Sequence, residues 1–182
     1  YDVFGRIEKE ILPFDSSAYP TKKYTYDFSV TPVKIITHQR ETSGAQGTLD
    51  TYQFYDGFNR LVQTKKESDN NNQIAQDTYY DQKGRLSRQS NPYFVSSTDS
   101  YSSPNSAILA TNYSYDALDR VTVIKNPDGT NKTTVYYPTY LVRYDEKGVS
   151  KLYILDPYDR IVAVQENNKN TVYSTSYYYK PL

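Results

Sequence analysis

One short pattern recurs along this chain and limits what it can fold into. Tyr55-Asp56-Gly57-Phe58-Asn59-Arg60-Leu61 reads as strand, tight turn, strand. Tyr1-Asp2-Val3-Phe4-Gly5-Arg6-Ile7, Tyr80-Asp81-Gln82-Lys83-Gly84-Arg85-Leu86 and Tyr115-Asp116-Ala117-Leu118-Asp119-Arg120-Val121 repeat it at every diagnostic position. Leu155-Asp156-Pro157-Tyr158-Asp159-Arg160-Ile161 lacks only the leading Tyr, and Tyr144-Asp145-Glu146-Lys147-Gly148-Val149 lacks the Arg.

Each position in the pattern has a physical reason. The fourth residue from the turn start is Gly5, Asn59, Gly84, Asp119, Gly148 or Asp159. These are the residue types that tolerate a left-handed backbone, Gly for want of a Cβ and Asn or Asp through local hydrogen bonds. The turn starts at an Asp in every copy, and its carboxylate can accept N–H groups inside the turn. Together they predict a type I turn followed by a left-handed residue, the three-residue hairpin with a bulge. Asp56 then faces Arg60 across the hairpin mouth, a cross-strand pair contributing roughly 0.2–1 kcal/mol. Tyr55 and Leu61 pack on the other face, as do Tyr1 with Ile7, Tyr80 with Leu86 and Tyr115 with Val121. Acid, turn residue and base are thus read as hairpin closure, not as a reactive site.

Between the copies the sequence is strand-like and turn-rich. Val33 to Glu41 is β-favouring and ends at the Ser43–Gly47 turn, and Ile74 to Tyr80 runs into the third copy. Asn126-Pro127-Asp128-Gly129 is a turn signal, with Pro presetting φ and Gly free to take a positive φ. Thr133 to Tyr137, Leu141 to Tyr144, Lys151 to Leu155, Ile161 to Gln165 and Thr171 to Tyr179 are short β-favouring runs, with Asn167 to Asn170 turning between the last two. Turn signals recur at roughly the 8–12-residue spacing of an all-β meander, and no stretch has helical periodicity. Residues 87–106, rich in Ser, Pro, Asn and Thr, are expected to form an exposed excursion. The expected fold class is all-β, an antiparallel hairpin meander, with 1–182 as a single repeat segment.

Composition agrees and excludes several functions. The chain has 22 Tyr against 6 Phe and no Trp, as suits pleated, half-wet surfaces. Lys plus Arg and Asp plus Glu are both 21, without the basic excess of a nucleic-acid binder. Cysteine is absent, which removes disulfides and thiolate chemistry together. No apolar run approaches the ~20 residues of a membrane-spanning helix. A start in mid-repeat predicts that the chain is a slice of a longer repetitive body.

The pattern Tyr-Asp-x-x-Gly-Arg-Leu, spaced by turns such as Asn126-Pro127-Asp128-Gly129-Thr130, resembles the YD repeat of Rhs proteins, insecticidal toxin complexes and teneurins. The repeat positions are Tyr1, Asp2, Gly5, Arg6, Tyr55, Asp56, Asn59, Arg60, Tyr80, Asp81, Gly84, Arg85, Tyr115, Asp116, Asp119, Arg120, Asp156, Asp159 and Arg160. The resemblance implies an arc of a spiralling β-sheet shell that encloses a C-terminal toxic effector in a secreted or surface bacterial protein. The implied partners are the remaining shell repeats and that effector. The alternative is an extracellular adhesion module binding carbohydrate or a cell-surface partner.

Nothing in the sequence points to an enzyme, a cofactor or a metal. The single His, His38, stands in a β-rich run with no partner evident from the sequence and is read as a strand residue. No Gly-x-Ser-x-Gly or phosphate-loop motif occurs. Asp69-Asn70-Asn71-Asn72 lacks the spaced acids and terminal Glu of a calcium loop. Asp156-Pro157 sits at an ordinary repeat turn and is not read as the self-cleavage segment of the bacterial shells. Asn112-Tyr113-Ser114 and Asn131-Lys132-Thr133 match glycan acceptors, which matter only in a eukaryotic secretory protein.

Overall fold

A computed structural model of the chain describes residues 1–43, 45–168 and 171–180. Gly44 of the Ser43–Gly47 turn, and Lys169 and Asn170 of the last turn, lie outside the described residues. Fifteen strands and no helix are found among them. They fall into two compact units, residues 1–80 with 89–108, and residues 81–88 with 109–182.

In the first unit β1 (Lys9–Glu10), β2 (Lys22–Asp27), β3 (Val33–Arg40), β4 (Thr48–Tyr55), β5 (Leu61–Ser68) and β6 (Asn72–Tyr80) pair in chain order, each antiparallel to the last. A further strand, β8 (Tyr93–Ser96), pairs along β6, with Ala75 opposite Tyr93 and Asn72 opposite Ser96. The second unit holds most of β7 (Leu86–Ser90, of which Gln89 and Ser90 count with the first), then β9 (Ala110–Tyr115), β10 (Val121–Lys125), β11 (Asn131–Tyr136), β12 (Tyr140–Tyr144), β13 (Ser150–Leu155), β14 (Ile161–Asn168) and β15 (Thr171–Ser176), paired in that order. The meander expected from the spacing of turns is therefore the observed fold.

Across 87–106 the structure is more ordered than the composition implies. The stretch carries the end of β7 and the whole of β8, and its later part lies against the first unit's sheet.

Three hairpins share a register shift that alternation alone does not foresee. Tyr55 faces Leu61 but Phe54 faces Gln63, so Val62 is an extra residue. Thr122 and Val162 are skipped in the same way. One inserted residue turns every later side chain to the opposite face. On β5 this puts Gln63 and Lys65 on the face of Phe54, where apolar Val62 would otherwise lie. That face of the first unit is accordingly a polar core: Gln63, Lys65, Gln73 and Asp77 are buried beside Phe54 and Ala75. No buried side-chain polar atom there lacks a hydrogen-bond partner, which is what makes such burial tolerable.

Candidate functional site

The repeated turn is the chain's best-defined constellation, and its geometry is nearly constant from copy to copy. At the second copy Asn59 N–H donates to the Asp56 carbonyl at 2.9 Å and Asp56 N–H to the Arg60 carbonyl at 3.0 Å. Asn59 takes φ 58°, and Gly5, Gly84, Asp119, Gly148 and Asp159 are left-handed as well. The Asp carboxylate divides its work between its two oxygens. Asp56 Oδ1 accepts the N–H groups of Phe58 and Arg60, while Oδ2 holds the Arg60 guanidinium at 2.7–2.8 Å. Asp2 with Arg6, Asp81 with Arg85, Asp116 with Arg120 and Asp156 with Arg160 repeat this ion pair. Asp145, which has no Arg, keeps the two N–H acceptances from Lys147 and Val149. Asn126 to Thr130 closes by the same backbone bonds, with Gly129 at φ 87°. It is a further copy with Asn in place of Asp.

The repeat has a second component, one that reading the hairpins singly does not disclose. The Tyr80 ring lies over the Arg60 guanidinium, 4.7 Å from its centroid, and its hydroxyl donates to the Leu61 carbonyl at 3.0 Å. Tyr26 does this to Arg6 and Ile7, Tyr115 to Arg85 and Leu86, Tyr136 to Arg120 and Val121, and Tyr179 to Arg160 and Ile161. A Tyr further along the chain therefore caps each Arg and ties down the carbonyl that follows it. At several turns an in-turn ring covers the Arg too: Phe4, Phe58 or Tyr158. In the second unit Asp119 bonds back to Lys83 and Arg85 of the preceding copy. The Tyr excess is the sequence trace of this stapling.

Electrostatics follow from the clasp. The Arg60 guanidinium holds the Asp56 carboxyl below its ordinary range, against some desolvation and with help from two N–H donors. The Arg85 N–H, with its guanidinium, does the same for Asp81. Burial pushes the Tyr115 phenol up, against the nearby Arg85 charge. Burial and the hydrogen bond to Asp77 push Tyr93 up further.

Outside the repeat, His38 has partners after all. Its Nδ1 is 2.8 Å from Asp50 Oδ1, and its Nε2 is 3.2 Å from Thr25 Oγ1, all on one face of β2, β3 and β4. A groove of about 440 Å³ runs over β10 to β13 in the second unit and is lined by Tyr136, Arg143 and Tyr153 among others. Among the described residues no group of His, Cys, Asp and Glu could hold a metal ion. No helix there is long and apolar enough to cross a membrane. Asp156 is engaged by Arg160 and by the Tyr158 and Arg160 N–H groups, the same bonds as in the other copies.

No family model matches the sequence, and no curated protein does. Solved structures do match. Those of TcdB2-TccC3-Cdc42 and TcdB2-TccC3-TEV superpose with TM-scores of 0.65 and 0.68, both at 18% identity. That of the Photorhabdus luminescens Tc holotoxin pore superposes with a TM-score of 0.65 at 17% identity. The chain has the fold of a stretch of a Tc toxin. Each match covers 82% of this chain and 9% of the other, so the shared Tc-type fold describes a small part of those large proteins. At this identity the likeness lies in the meander, and the clasps and staples above account for it in this chain's own residues.

Proposed function

We propose that the chain is a structural wall segment of a toxin-complex-type shell, whose role in the parent protein is to enclose an effector. The supporting observation is the clasp-and-staple geometry. Each Arg-bearing hairpin presents a carbonyl and a guanidinium that a Tyr further along the chain covers, as at Arg60 and Tyr80 or Arg160 and Tyr179. Such a unit is completed only by another like it, the logic of a repeat sheet extended at will. The Tc-type fold supports the same reading. On this reading the chain performs no chemistry, and it acts outside the bacterial cell with the remaining repeats and the cargo as partners. Electron microscopy of the parent protein tests it: a closed wall around a lumen containing density is expected, and a solid rod or an open sheet would overturn it.

A second reading draws on the groove over β10 to β13. Tyr136, Tyr153 and Arg143 line it, and aromatic faces beside a cation suit a sugar ring or a peptide. Specific binding on a glycan array, lost in Tyr153→Ala, would favour an adhesion role.

A further inference from the structure

The densest polar chemistry of the first unit is turned on a piece of its own chain. Residues 98–102, a strap after β8, cross the face that carries Lys34, Phe54, Gln63, Lys65 and Gln73. Gln63 binds the strap as one amide binds another: its Nε2 donates to the Ser102 carbonyl, and its Oε1 accepts the Ser102 N–H, both at 3.0 Å. The Lys65 ammonium donates to the Ser100 carbonyl at 2.6 Å and to Thr98 Oγ1 at 3.2 Å. Gln73 Oε1 accepts the Thr98 N–H at 3.3 Å. Main-chain groups of alternate strap residues are thus read by side chains. Besides the Thr98 hydroxyl, two more strap side chains are read: Asp99 meets Lys34 at 2.9 Å, and the Tyr101 ring stands edge-on to Phe54 at 5.6 Å.

Two features separate this arrangement from an ordinary cover. The holders Gln63, Lys65 and Gln73 are buried and polar, so lifting the strap exposes mainly groups that water solvates readily, with Phe54 the apolar exception. The strap is also attached through side chains, and the ladder bonds of β5 and β6 are complete without it. It can therefore leave without unzipping the sheet. What the face favours is an acid two residues before an aromatic: Asp99, at 2.9 Å, joins Asp27, at 3.7 Å, as a counter-charge to the buried Lys34, while Phe54 gains a ring edge.

We propose that this face is a recognition site for a partner peptide segment of Asp-x-Tyr type, and that Asp99-Ser100-Tyr101 is its resident, displaceable occupant. The test uses the whole chain with Asp99→Asn and Tyr101→Ala together, which loosens the strap and leaves the face intact. The probe is a labelled peptide copying Ser97 to Asn105. The loosened chain is expected to bind it at micromolar concentration. Binding to the native chain, and binding by the loosened chain of a peptide lacking the acid and the ring, should each be at least tenfold weaker. Failure of a folded loosened chain to bind, or equal binding of the altered peptide, overturns the proposal. Native-state hydrogen exchange checks it without mutation. The Thr98 and Ser102 amides should exchange at least tenfold faster than that of Asp77 beneath them, and exchange at one common rate would mean that the strap never opens alone.

Discussion

The hydroxyl of Tyr80 donates to the carbonyl of Leu61 at 3.0 Å while its ring covers the Arg60 guanidinium. These two residues belong to different copies of the repeat, and their contact ties one hairpin to the next beside the β5–β6 ladder. Arg60 closes its own hairpin through Asp56 and offers its other face to the next Tyr. Loss of either partner should therefore be felt in two repeats.

Tyr80→Phe removes the hydrogen bond and keeps the ring over Arg60. It should destabilise the chain by about 1 kcal/mol, the net worth of one such bond. Tyr80→Ala should cost more, adding about 0.5–1 kcal/mol for the cation–π contact and the lost packing. Urea unfolding of the two variants, together with Arg60→Ala and the Tyr80→Ala/Arg60→Ala double, measures the coupling. Additive losses would show that the two residues do not interact.

Two glycines separate backbone conformation from space. A Cβ added at Gly57 or at Gly148 meets nothing within 4 Å, yet only Gly148 is left-handed, at φ 77°. Gly57→Ala should stabilise by about 0.4–1 kcal/mol through the unfolded chain. Gly148→Ala should destabilise by about 1–2 kcal/mol. Thermal melts of the pair decide it, and equal shifts would remove the left-handed turn from the explanation of the repeat.

Much of this was legible in the sequence, because the turn is local. Asp56, Asn59 and Arg60 act within five residues of one another, and their types reveal the backbone they need. The Tyr staple was not, because Tyr80 meets Arg60 across a whole hairpin and the spacing varies from copy to copy; the Tyr excess and the copies' leading Tyr were its only signals. The extra residue at Val62 left no signal at all. Without it, alternation puts Val62 on the buried face and Gln63 on the other; in the structure Gln63 takes the buried face and Val62 is half-buried. The partners of His38, Asp50 and Thr25, lie on neighbouring strands and become evident only once the register is known. Residues 98–102 read as a loop because they bind the sheet through side chains, which impose no periodicity on the strap itself.

Acid should loosen the clasps in a defined window. The folded Asp56 carboxyl titrates below its ordinary value of 3.8, first because of the Arg60 hydrogen bond. A depressed carboxyl contributes stability that is present above its unfolded value and lost as the pH falls through its folded one. Urea midpoints of the native chain and of Asp56→Asn should therefore differ most above about pH 4 and converge as the pH falls further. A gap that stays constant across this range would assign the Asp56 contribution to shape rather than charge.

The polar face makes the opposite demand, since there burial matters more than charge. Gln63 is fully buried, donates to the buried Asp77 carboxylate at 2.7 Å and holds Ser102 twice. Gln63→Ala strips a donor from that carboxylate and opens a void. It should cost about 2–4 kcal/mol, the range for a buried group left short of partners. Lys34→Ala removes ion pairs to Asp99, whose side chain is 67% exposed, and to Asp27 at 3.7 Å, so it should cost about 1 kcal/mol. Chymotrypsin provides a local readout beside the urea melts, because cleavage after Tyr101 requires the strap to lift. Both variants should be cut there faster than the native chain, Gln63→Ala the more so. Cutting of Lys34→Ala faster than that of Gln63→Ala would mean that the Lys34–Asp99 pair holds the strap more firmly than Gln63 does.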